Sequence, residues 1–253
     1  MGQTKPAAIQ YNRAKPWQLI LFTMNDVAFN VYFAGINYLS YFATGVVGFS
    51  VVAAANMLTA MRVFDGVTDP IIGIMLDKCN TRFGRFRPFM VAGNAIMAVS
   101  LLLIYYTTSS IGNSALRTVY FLVLYAIYII GYTCQGAASR AAQTTLTNDP
   151  KQRPMVSVVS GTGCGIVYAA IQMLVSGYLV TKHGGINETF FQELVIYLII
   201  GSGVLTVLAV IGIWKKDRPE YYNISMKKAP QQDLHMRDYW DVLKGNRGLQ
   251  MLI

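Results

Sequence analysis

The stretch RVFDGVTDPIIGIMLDKCNTRFGRFRP, Arg62 to Pro88, sets an arginine and two aspartates inside an apolar run and then stops at a cluster of basic residues. Asp65 and Asp69 are four residues apart, so on a helix they share one face, and Arg62 lies on that face with Thr68 at its flank. The chain around this stretch is greasy. Of its 253 residues, 54% are hydrophobic and 13% charged, where a soluble domain is about a quarter charged. Six apolar stretches, at 17–44, 51–76, 88–107, 118–144, 157–181 and 194–214, each reach the ~20 residues needed to cross a bilayer. Backbone groups in lipid must be satisfied within their own segment, so all six are predicted helices. The expected fold is an all-α membrane protein: a polar segment 1–16, a six-helix bundle 17–214 and a basic tail 215–253.

The net charge of +9 is distributed as a topology. Seventeen of the 21 basic residues precede the first stretch, lie between the second and third or the fourth and fifth, or follow the sixth. By the positive-inside rule those segments and both termini are cytoplasmic, in a bacterial-type inner membrane, and the charge does not imply nucleic acid. Residues 1–16 lack the pattern of a signal peptide, so the first helix is expected to be retained. Cys79, Cys134 and Cys164 are too scattered for a disulfide framework or a metal site. In the tail, DYWDVLKGNRGLQMLI predicts a surface-lying amphipathic helix, followed from Gly248 by the start of an interrupted seventh helix.

Polar residues fall in stripes at helical spacing. The first stretch carries Asp26, Asn30, Phe33, Asn37, Tyr41 and Thr44; the fourth Tyr125, Tyr128, Tyr132, Gln135 and Ser139; the fifth Ser160, Cys164, Tyr168 and Gln172. Any one stripe can be helix–helix glue. Three of them, with the charges of the second stretch, predict a shared hydrophilic cavity backed by the third and sixth helices. GTGCG at 161–165 lacks a preceding strand and reads as small residues for close helix approach.

Asp65 lies roughly 17 Å from the cytoplasmic end of its helix, near the midplane. An acid there costs about 2.5–3.5 kcal/mol, and a second one beside it costs more. Arg62, the charge partner, offsets one of the two. The remainder calls for a monovalent cation or a proton as coupling ion (Na+, Li+ or H+), since hard oxygen donors suit a hard ion; a static Asp–Arg network is the structural alternative. Asp26, at comparable depth, offers with Asn30, Tyr32, Asn37, Tyr128 and Tyr132 what a sugar needs: acceptors for hydroxyls and aromatic faces for ring C–H groups. Arg140 either snorkels to water, binds an anionic group of the substrate, or gates the cytoplasmic mouth.

FDGVTDPIIGIMLDKCNTRFGRFRPFM, together with NDVAFN at 25–30, LTNDPKQR at 146–153 and LKGNRGL in the tail, closely resembles the glycoside–pentoside–hexuronide:cation symporters of the major facilitator superfamily, the family of the melibiose permease. The resemblance implies the N-terminal six-helix half of that fold. It also implies cation-coupled symport of a sugar, glycoside or uronide by alternating access. It assigns Asp65, Asp69 and Thr68 to the cation site, Asp26 to sugar hydroxyls, and Asp77, Arg85 and Arg87 to a conformational latch. Two positions depart from the pattern: Gln135 stands where a cation-site hydroxyl is expected, and Ala138 where a second sugar-binding acid is expected. Family members have two such halves, so the expected partners are lipid, substrate, cation and a complementary C-terminal half.

No enzyme is expected and no cofactor is implied. A CDP-alcohol phosphotransferase-like enzyme is the remote rival, but its motif requires an acid where Thr81 stands. A truncated, non-transporting or regulatory half is the other alternative.

Overall fold

The computed structural model describes residues 12–79 and 81–218. The six apolar stretches are helices: α1 (Pro16–Ile36), α2 (Val51–Lys78), α3 (Arg87–Thr107), α4 (Ser114–Leu146), α5 (Gln152–Met173) and α6 (Glu188–Ile213). A short turn at Leu39–Tyr41 and a π-helical turn at Phe42–Val46 prolong α1, while a π-helical turn at Leu174–Leu179 and a last turn at Val180–His183 prolong α5. The expected tail helix and the seventh run lie outside the described residues.

Polar caps set the helix starts. Ser50 accepts the Ala53 N–H at the head of α2, Asn113 those of Ala115 and Leu116 at α4, and Asn187 that of Phe190 at α6. Pro16 and Pro88 occupy first turns, where a missing N–H costs nothing. Five of the six spans are long and apolar enough to cross a bilayer, which marks an integral membrane protein. The sixth, α2, falls short because Arg62, Asp65 and Asp69 depress its hydropathy.

The most extensive contacts join α1 to α6 and α3 to α4, and α3 to α6 links the two pairs. Outside this central group α5 leans on α1 and α2 on α4. The two outer helices bury little: Ala54, Thr68, Ile72 and Leu76 in α2, Val156 and Ile171 in α5. Helix α6, expected only as backing, is therefore central. A Cβ at Gly212 would stand 2.7 Å from the Phe22 nitrogen, so only glycine lets α6 lie this close on α1. Gly93 does the same between α3 and α4, where a Cβ would stand 2.7 Å from the Gly131 carbonyl oxygen.

Polar side chains tie the same helices where no water competes. Asn94 of α3 donates to Ser202 of α6 at 2.5 Å, and Ser202 donates to the Ala28 carbonyl of α1 at 2.9 Å. Gln135 of α4 donates to Asn25 of α1 at 3.0 Å and to Thr206 of α6 at 3.1 Å. Each such bond contributes about 0.6 kcal/mol on average.

On the face bearing the basic loops, the segment before α1 is strapped down. Arg13 donates to Asp149 at 2.7 Å, Gln152 exchanges hydrogen bonds with both backbone groups of Ala14, and Lys216 donates to Asn12. The Lys151 backbone N–H, and after it Arg13, hold the Asp149 carboxyl below the usual carboxylate range.

Gly93→Ala is expected to destabilise the bundle by about 1–3 kcal/mol; Gly201→Ala, whose Cβ meets nothing within 4 Å, should not. Thermal unfolding of both variants in detergent checks this. Because the Asp149 pKa is lowered on folding, its contribution is present above the unfolded carboxylate pKa of about 3.9 and is lost as pH falls through the lower folded value. Hydrogen exchange at 12–15 should accelerate in that acid window, and Asp149→Asn should remove the step.

Candidate functional site

Helices α2 and α4 run in the same direction, and their facing residues meet in register. Thr133 donates to the Asp65 carboxylate at 3.0 Å. Thr68 donates to the Asp65 backbone carbonyl at 2.9 Å, which leaves its oxygen 3.5 Å from that of Thr133. One turn on, Asp69 meets Arg140 at 3.9 Å, both side chains more than half exposed. The two carboxylates thus lie on one face, with two hydroxyl oxygens beside the first and a cation beside the second.

Above them α1, α2 and α4 enclose a cavity lined by Phe33, Arg62, Asp65, Tyr125, Tyr128 and Tyr132 among others. Tyr125, Tyr128 and Tyr132 are stacked in succession, at 6.0 and 6.4 Å between centroids. Arg62 lies over the Phe33 ring at 5.8 Å. It has no carboxylate within ion-pair distance among the described residues; Arg140 is within that distance of Asp69, and not of Asp65. The Tyr128 hydroxyl is buried and has no hydrogen-bond partner among the described residues.

Asp26 lies deeper toward the basic face, between three helices. Its carboxylate accepts from Ser139 of α4, and from Ser160 of α5 at 2.8 Å. Asn30 is turned back onto its own helix and donates to the Asp26 carbonyl at 2.7 Å. Asn37 is exposed where α1 ends, outside the cavity lining. The cavity is bounded by α1, α2 and α4; from the α5 stripe Ser160 instead meets Asp26, and Gln172 accepts from the Tyr38 hydroxyl.

Gln135 is not brought to the carboxylates: it is fully buried among Asn25 and Thr206. Helix geometry explains the exchange with Thr133. At 100° per residue the two stand on opposite edges of the tyrosine stripe, about 160° apart, so one edge meets α1 and α6 and the other meets α2. Thr133 and Arg140, seven residues apart, share the α2 edge. Sequence reading passed over Thr133 because it is not on the stripe's centre line; that it shares a helical edge with Arg140 is what could have found it.

The expected latch residues divide. Arg85 donates to Asp77 at 2.5 Å and to the Leu76 carbonyl at 2.9 Å. Arg87 instead meets Asp217, which the sequence reading did not single out. Asp217 is buried just past α6 and accepts from the backbone N–H groups of Arg85, Phe86 and Arg87 at 2.9–3.1 Å and from Arg87 Nε at 3.2 Å. It thereby caps the start of α3, where the helix dipole favours an anion. Gly84, at φ +103°, turns the loop where a side chain would strike that carboxylate.

Residues 21–253 match the family model described as MFS/sugar transport protein. The chain is 27% identical over 237 residues to "Uncharacterized symporter YnaJ" of Bacillus subtilis, covering 91% of this chain and 48% of that protein. It is 28% identical over 166 residues to the "Glucuronide carrier protein homolog" of Escherichia coli, covering 65% of this chain and 36% of the other. To the "Lactose permease" of Lactobacillus delbrueckii subsp. bulgaricus it is 27% identical over 164 residues, covering 61% and 26%. The chain spans about half the length, or less, of these relatives. The α2 motif, the all-helical membrane fold and the family match agree, and the chain belongs to the MFS/sugar transport protein family.

Proposed function

We propose that this chain forms the cation-holding bundle of a symporter that moves a sugar, glycoside or uronide across the cytoplasmic membrane, with both termini on the cytoplasmic side. The observation that carries the reading is the oxygen cluster between α2 and α4: the Asp65 carboxylate, the Thr133 and Thr68 hydroxyls, and Asp69 one turn below. An all-oxygen set with surplus negative charge suits Na+, Li+ or a proton. Thr68 has its proton held by the Asp65 carbonyl, so it offers lone pairs; Thr133 can rotate from donor to ligand when a cation arrives. Arg140 competes with the cation for Asp69.

The adjoining cavity, about 20 Å³ and so roughly one water's space, is one wall of the substrate site, to be completed by the complementary bundle. The unpaired Tyr128 hydroxyl supplies a hydrogen bond, and Tyr132 and Phe33 supply faces for ring C–H groups. Asp65 borders both sites, so neutralising it by a cation changes the field felt by a sugar next to it. That shared wall is a physical basis for coupling. Arg62, Asp69 and Arg140 lie on an exposed face of the bundle, and charges are not left against hydrocarbon. This face is therefore proposed to border an aqueous cavity closed by a complementary bundle, the two rocking in alternating access.

Thermal stability of the purified protein in sodium, lithium and potassium, each at two pH values, tests the cation site. A sodium- or lithium-specific rise is expected by mass action, abolished in Asp65→Asn and with affinity weakened at least about tenfold in Thr133→Val. A sodium response intact in Asp65→Asn overturns the assignment; a pH response alone, lost in that variant, identifies the ion as a proton. Arg140→Gln should tighten cation binding about two- to fivefold, since it removes a half-exposed competing charge, read by titration of the same stability shift.

A further inference from the structure

At the basic face, the start of α3 and the end of α6 leave an open groove between them, lined by Phe83, Arg87, Pro88, Val91, Val210 and Trp214. Its volume is about 240 Å³, where one water needs about 10–15 Å³ on the same measure, and its lining is almost wholly apolar. Apart from the arginine and the Trp214 indole N–H, nothing in it attracts water.

The mouth of the groove has the opposite character. Phe83 and Trp214 are 73% and 54% exposed, as aromatic side chains at a membrane–water boundary are. Their chain neighbours Arg82 and Lys215, and Arg218 beyond, are exposed cations. The flanking segments, 77–87 and 214–218, carry seven basic residues against Asp77 and Asp217 alone. Asp77 is exposed but paired with Arg85, and Asp217 is buried beneath the backbone of Arg85, Phe86 and Arg87. Arg87 lies 4.6 Å over the Trp214 ring with its charge met by Asp217, so it forms the roof of the groove. Lys216 points the other way, to Asn12.

An apolar slot that opens into a rim of exposed cations, with no carboxylate partner for Arg82, Lys215 or Arg218 among the described residues, fits one amphiphile. The geometry points to a binding site for an anionic phospholipid, one acyl chain lying along Val91, Val210 and Trp214 and the phosphate held by Arg82 and Lys215. Basic pockets between membrane helices on this side recognise such headgroups. This site is on the lipid-facing side of the α3–α6 contact and shares no residue with the α2–α4 cluster. It does not depend on the transport reading.

The test is thermal stability and native mass spectrometry of the purified protein in micelles containing either phosphatidylglycerol or phosphatidylcholine of the same acyl chains. Phosphatidylglycerol is expected to raise the unfolding temperature more and to remain bound. Arg82→Gln/Lys215→Gln should lose most of that difference, whereas Lys151→Gln/Arg153→Gln, on the same face but away from the groove, should keep it. Val91→Trp, a half-exposed position that can fill the slot without crowding the core, should also lose it. The proposal is overturned if phosphatidylcholine stabilises equally, or if both double variants lose the effect alike, which marks diffuse surface attraction. It is also overturned if Val91→Trp retains the full effect, or if inorganic phosphate reproduces it, which marks a free-anion site.

Discussion

A charge in hydrocarbon is too costly to leave unanswered, and in this bundle Asp26, Asp65 and Asp69 are each answered from a neighbouring helix. Asp65 is met by Thr133, Asp69 by Arg140, and Asp26 by Ser139 and Ser160. Three of these four answers to acids on α1 and α2 come from α4 alone. That helix is itself immobilised on its other sides: Gly93 against Gly131 sets it on α3, and Gln135 locks it to α1 and α6. The site is thus preorganised by contacts behind it, while α2, which carries the two carboxylates, is the less buried partner. On the proposed reading, a cation taken up between this rigid hydroxyl-bearing wall and the looser acid-bearing helix would alter how α2 sits.

The basic face shows the same economy with the sign reversed. Asp217 gathers three backbone N–H groups and an arginine at the start of α3, so the end of α6 and the α2–α3 loop are joined through one carboxylate. Gly84 is confined to its left-handed turn by that carboxylate. The consequence reaches the surface: Asp217 is spent on Arg87 and the loop backbone, so Arg82, Lys215 and Arg218 stand exposed, without a carboxylate partner among the described residues, beside the open slot at Trp214.

Much of this was legible in the sequence. Asp65 and Asp69 share a helical face because four residues make one turn, and the tyrosines of α4 line a cavity because they recur every three or four residues. What periodicity could not supply was the partner for each edge of a stripe. Gln135 and Thr133 are both polar and two residues apart, yet one is core glue and the other meets Asp65, depending on which neighbour each edge of α4 happens to face. Asp217 was hidden for the same reason: in the run WKKDRP it reads as one more solvated charge.

By itself the sequence determined the membrane class, the helical spans, the basic face and the shared helical face of the two acids, because hydropathy, charge bias and helical period are local properties of a chain. Only the tertiary structure decided that α6 is central, that Arg140 rather than Arg62 pairs with an acid, that Asn30 is spent on its own backbone, and that Asp26 is held by two serines. Those outcomes follow from how closely glycine lets helices approach and from which faces that approach brings together, and neither is written in the spacing of any single segment.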